Sequence, residues 1–200
     1  MPRFRARVHH EEKEVSQASV CLVRRGPSYR DKDRHAVYIL NTILGAGASS
    51  RLYQTIREDE GLAYSVYSFM DSFRDSGLFG VYLGVSPEQM KKALRLVCRE
   101  LRRVRRQGAR AWELESAKAQ IFTGLFLSYE SMYERIGRLA HNEIYYGEQL
   151  PLAEVVQTID RITLDDVQQA AETLLEPSRY SLVTVGPGGH PRPGLEDLDF

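Results

Sequence analysis

Leu44-Gly45-Ala46-Gly47-Ala48-Ser49-Ser50-Arg51-Leu52-Tyr53-Gln54-Thr55-Ile56-Arg57-Glu58-Asp59-Glu60-Gly61-Leu62-Ala63-Tyr64-Ser65-Val66 joins three elements through two reversals. On its upstream side Ala36, Val37, Ile39, Leu40, Ile43 and Leu44 recur at helical spacing and stop at Gly45. Asp31 and Asp33 offer N-cap oxygens ahead of them, so a helix is predicted that ends in a Gly-rich turn. Ser49 or Ser50 can cap a second helix through Leu52, Tyr53, Ile56 and Arg57, with Gly61 as its stop. Residues 62–69 are rich in β-branched and aromatic side chains, the composition of a strand.

Working outward, residues 71–77 supply turn chemistry and residues 78–85 return as the second strand of a hairpin. Phe79, Val81, Leu83 and Val85 share one face of it, and Gly80 and Gly84 leave the other open to close neighbours. Residues 14–25 alternate weakly, with Ala18, Val20 and Leu22 on one face, as an earlier strand covered on one side. Ser86-Pro87-Glu88-Gln89 reads as a capping box opening a helix that runs to Gly108. Two helical stretches follow, residues 111–129 and 132–146. Thr163-Leu164-Asp165-Asp166 caps a last helix ending near Pro177, and residues 179–185 read as a closing strand. This order predicts an α+β fold: helices packed on one face of a mostly antiparallel sheet, the other face free for a partner. The domain is expected to span residues 1–187, and the Gly- and Pro-rich residues 188–200 to form a flexible tail or linker stub.

The chain has 200 residues, 42% of them apolar, enough for one sizeable core. Lys+Arg and Asp+Glu stand at 27 each, so no net field draws the chain to nucleic acid or to an anionic membrane. No apolar run approaches the roughly 18 residues of a membrane span. Cys21 and Cys98 are too few for a disulfide framework and read as small core hydrophobes. They leave the compartment open, with a soluble cytoplasmic setting favoured over a secreted one.

Among five histidines, neither His-Glu-x-x-His nor His-x-x-Glu-His occurs. His9-His10-Glu11-Glu12 comes nearest to a metal motif, but adjacent side chains diverge on a helix and alternate on a strand, which makes a poor chelate. His141 reads as structural. The Gly-rich stretch before Ser49 lacks the Lys-Ser/Thr ending and the preceding strand of a phosphate loop. Arg95, Arg99, Arg102, Arg103 and Arg106 read as the solvated face of an amphipathic helix. Arg57 and Tyr64 are the pair with chemical promise. One sits in the last turn of a helix and the other near the start of the next strand, and both are hydrogen-bond donors able to hold a peptide carbonyl or the oxyanion that forms from it. The plain alternative is a helix C-terminal charge and a half-buried strand residue.

The quoted stretch resembles the C-terminal domain of the insulinase, pitrilysin and mitochondrial processing peptidase family of zinc metallopeptidases. The likeness extends more loosely over residues 15–185, through Asp75-Ser76-Gly77-Leu78-Phe79 and Ala117-Lys118. It implies one half of a two-part α+β enzyme that encloses a chamber. Zinc is expected in the missing N-terminal half or in a partner subunit, and no cofactor in this chain. By the same resemblance Arg57 and Tyr64 contact the peptide substrate, and Gly45 and Gly47 form a turn facing the chamber. The chain is therefore expected to close a peptide-binding chamber without catalysis of its own. The alternative the family offers is a non-catalytic scaffold or substrate-presenting subunit. The expected partners are the zinc-binding half and a peptide, with the open chamber face a candidate for pairing two copies.

Overall fold

The computed structural model describes residues 4–198. Its centre is β2 (Ala18–Arg25), in which Ala18, Val20, Leu22 and Arg24 are buried while the intervening residues are half-buried. A strand that alternates in this way has one face on a core. β2 pairs antiparallel with β4 (Gly77–Val85) on one side and β5 (Ser181–Gly186) on the other. β3 (Ala63–Ser72) flanks β4, and β1 (Val8–Glu12) lies parallel to β5, giving the order β1-β5-β2-β4-β3. The fold is α+β, with a mixed, mostly antiparallel sheet.

α1 (Arg34–Gly45) packs on β3, and α2 (Met90–Gln107) on β2 and β4. α6 (Leu164–Leu174) packs against both helices. Leu40, Leu44, Leu83, Leu94, Leu101 and Val167 are fully enclosed between these helices and the sheet. α3 (Ala111–Glu130), α4 (Met132–Tyr146) and α5 (Leu152–Asp160) complete the helical layer. Among the described residues no helix is long and apolar enough to cross a membrane.

Several local readings need correction. β1 and α5 were not anticipated. The side chain of Asp33 makes no cap bond; instead the Asp31 carboxylate accepts from the backbone N–H and the hydroxyl of Ser28, at 2.7 and 2.9 Å, and so shapes the loop before α1. Pro87 opens a 3-10 turn that leads into α2 at Met90, and the Ser86 hydroxyl does not cap it. Cys98 is buried, whereas Cys21 is half-buried. The box at Thr163 does form: its hydroxyl accepts from Asp166 N–H while the Asp166 carboxylate accepts from Thr163 N–H. The stretch after Pro187 touches the body at several points: Arg192 pairs with Glu12, Lys91 lies 3.5 Å from Asp197, and Leu198 is buried. Asp199 and Phe200, at the end of the expected tail, lie outside the described residues.

Candidate functional site

The quoted stretch folds into a tight junction between helix and sheet. Gly45, the last residue of α1, sits so close to β3 that a Cβ there would lie 2.2 Å from the Ser68 nitrogen. One turn earlier on α1, the Asn41 backbone carbonyl accepts a 3.0 Å bond from the Ser68 hydroxyl, fastening the same contact. Gly47 is exposed, with φ +140, and packs toward Gln120, whose amide nitrogen donates to the Ala46 carbonyl at 2.6 Å. The Ser50 hydroxyl donates to the Gly47 carbonyl at 2.6 Å, so it closes the turn and does not cap the following helix as expected.

Tyr53–Asp59 then winds as a π-helix, wider than the α-helix its spacing suggested. Gly61, at φ +60, adopts the left-handed region that glycine occupies without a Cβ penalty, and Leu62 N–H donates back to the Ile56 carbonyl at 3.0 Å. That bond draws the start of β3 against the end of the helix. Arg57 and Tyr64 therefore flank one reversal. Arg57 is exposed, and its guanidinium carbon lies 4.9 Å from the centre of the Tyr53 ring, a stacking that leaves N–H edges directed at solvent. Tyr64 occupies the bulge between Ala63 and Ser65, where the β3–β4 register slips. A bulge re-aims the side chain it carries, and Tyr64 is 64% exposed. Among the described residues Arg57 has no carboxylate and the Tyr64 hydroxyl no hydrogen-bond partner.

Arg51, in the middle of the stretch, is tied to the root of α3. Its guanidinium grips Glu113 with two bonds of 2.6 Å and donates to the Gly108 carbonyl at 3.1 Å, while Arg110 N–H adds a 2.7 Å bond to the same carboxylate. Burial pushes the Glu113 carboxyl upward, but the bonds from Arg51 and Arg110 outweigh it and hold the group below its ordinary range. Sequence reasoning did not see this pair, because 62 residues separate its members and no local pattern marks either one.

On β1, His9 and His10 point to opposite sides. His9 lies 3.7 Å from Glu11, and His10 Nδ1 shares a 2.5 Å bond with the Thr184 hydroxyl. Among the described residues no group of three or more His, Cys, Asp or Glu could hold a metal ion, so the donors present do not fit a zinc site.

The described residues thus form an α+β domain with an exposed Arg–Tyr junction, and comparison with known proteins supplies its class. The chain belongs to the M16 peptidase family: residues 2–121 match the family model described as the peptidase M16 inactive domain. It is 33% identical to the zinc protease YmxG of Bacillus subtilis, over 94% of this chain and 46% of that protein. A zinc protease of Streptomyces coelicolor is 38% identical over 92% of this chain and 40% of its own length. The chain thus spans less than half the length of these curated relatives. The crystal structure of a peptidase M16 inactive domain from Pseudomonas fluorescens superposes with a TM-score of 0.84 at 28% identity, covering 94% of this chain and 45% of that one.

Proposed function

We propose that this domain closes the peptide-binding chamber of a two-part zinc peptidase, and that Arg57 and Tyr64 hold the backbone carbonyl of the substrate. The observation that carries this reading is the junction itself: a guanidinium and a phenol flank one reversal, both exposed and both without a protein acceptor. Zinc, the water it activates and the general base belong to the other half of the enzyme. Both donors here are placed by backbone geometry, the π-helix for one and the bulge for the other, so little reorganisation is needed as negative charge develops on the carbonyl oxygen. The length of the zinc protease relatives supports a missing half. So does the outward face of α4, where Met132, Tyr133, Ile136 and Leu139 are all more than half exposed. A continuous apolar surface of this kind is characteristic of an interface, and the other half of the enzyme is its occupant.

The test is steady-state peptide hydrolysis by the complete peptidase, with both halves present. Tyr64→Phe keeps the ring and removes the donor, and it should lower kcat by about 10²-fold. Unchanged kcat and KM in both Tyr64→Phe and Arg57→Ala would leave a scaffold or substrate-presenting role instead.

A further inference from the structure

A cleft of about 880 Å³ opens between α4 and the body of the domain, within the range of roughly 300–1,000 Å³ typical of small-ligand sites. Met70 and Ser72 on β3 line it, six and eight residues along the strand from Tyr64. At the rise of a strand that is roughly 20–26 Å, so this end of the cleft is remote from the Arg57–Tyr64 junction, while Ala46 and Gln120 bring its other end to the Gly45–Gly47 turn. One wall is apolar, with Ile121, Leu125 and Val155. The other is built of aromatic rings and cations.

Arg34, half-buried at the start of α1, lies 4.9 Å from the Tyr146 ring and donates to the Tyr29 carbonyl and to His35 Nε2. Arg138, half-buried on α4, lies 4.8 Å from the Tyr129 ring and donates to the Ser128 hydroxyl at 3.3 Å. Among the described residues neither guanidinium has a carboxylate within ion-pair distance. Glu134 stands exposed among the lining residues, and Asp71 lies near Tyr29, yet neither closes on an arginine. The imidazoles of the cleft are lowered in pKa chiefly by burial, with the arginines adding to it. Burial, and after it Arg34, lowers His35 to about 4. The His141 ring stands edge-on to Tyr29 with 4.6 Å between centres, and burial, then Arg34 and Arg138, lowers its pKa.

Two guanidiniums partly withdrawn from water, held by their faces and short of a counter-charge, are a cost unless something supplies it. The bonds to Tyr29, His35 and Ser128 use only part of each planar fork, and a guanidinium has five N–H donors, so N–H groups remain for an oxyanion. We propose that this cleft binds an organic anion, its carboxylate or phosphate held by Arg34 and Arg138 and its apolar body against Ile121 and Val155. The inference is independent of the peptidase reading, since it concerns binding by this chain alone.

The test uses the 200-residue chain. Phenyl phosphate, 3-phenylpropionate and the neutral 3-phenylpropanamide are titrated into it by calorimetry, and the imidazole signals of His35 and His141 are followed by NMR. At least one of the two anions should bind with 1:1 stoichiometry and shift both signals, while the amide does neither. The tighter of the two assigns the oxyanion. Arg138→Ala, on an exposed helix, should weaken binding by about tenfold or more with an unchanged circular dichroism spectrum, and Arg34→Lys should weaken it as well. Arg99→Ala, on the solvated face of α2, should bind like the parent. Failure of both anions to move the two histidines would overturn the proposal. So would amide binding equal to the anions, or undiminished binding in the Arg138 and Arg34 variants.

Discussion

α2 and α4 are both amphipathic helices of this chain, yet they face opposite ways. α2 turns Ala93, Leu94, Val97, Leu101 and Val104 onto the sheet and α6, and gives Arg95, Arg99, Arg103 and Arg106 to solvent. In α4 only Asn142 is buried, and the apolar stripe points outward. Burial of an apolar face supplies most of a helix's stability in a protein, so α2 is held by packing within this chain, whereas the apolar stripe of α4 is left exposed. Hydrophobic periodicity predicts a helix in both cases. It does not say which body the apolar side meets.

The largest expected effect lies at the root of the exposed half. Arg51→Ala strands the Glu113 carboxylate, and should cost about 3–5 kcal/mol in denaturant unfolding. A loss under about 1 kcal/mol would mean that α3 is not fixed to the core through this pair. Leu101→Ala, fully enclosed on α2, should cost about 2–5 kcal/mol by the same measurement. Acid should act next. His35 holds a folded pKa of about 4 against an ordinary 6.5, so the unfolded chain takes up the proton first and stability falls as pH drops from about 6.5 towards about 4. Glu113, depressed when folded, adds a loss of the same sign at lower pH, as its carboxylate protonates. Unfolding of His35→Gln followed across pH should show a shallower upper part of the slope, the remainder belonging to His10 and His141, whose folded values are also lowered; an unaltered slope would place the titration elsewhere. The smallest effect belongs to α4. Ile136→Ser, 64% exposed, should change stability by less than about 0.5 kcal/mol while reducing concentration-dependent association in sedimentation. A loss as large as that of Leu101→Ala would abolish the contrast between the two helices.

Elements whose partners are close in sequence were the legible ones. The β3–β4 hairpin, α1, α2 and the box at Thr163 all follow from patterns a few residues long. β1 has the sequence Val-His-His-Glu-Glu, with no apolar alternation, and is held by parallel pairing with a strand 174 residues away at His10 and Thr184. α5 is only nine residues long, and although Leu152, Val155, Val156 and Ile159 recur at i, i+3, i+4 and i+7, two turns between Pro151 and Arg161 give a weak signal beside the longer helices. Of the candidate site, the residue types and the helix-to-strand reversal could be read directly. The π winding of Tyr53–Asp59 and the slip at Tyr64 could not, since both concern how the backbone closes its hydrogen bonds and leave the residue pattern unchanged. The cleft beneath α4 was equally hidden, because Tyr29, Arg34 and His141 meet only after the helices pack.

Gly45 bears on how variants of this domain are screened. With the Ser68 nitrogen 2.2 Å from any added carbon, the position is closed to every other amino acid before a substrate is considered. A selection scored only by turnover would not tell a poorly folded Gly45 variant from one that has lost a substrate contact, the role proposed for the exposed Tyr64. Scoring soluble yield alongside turnover separates the two kinds of intolerance.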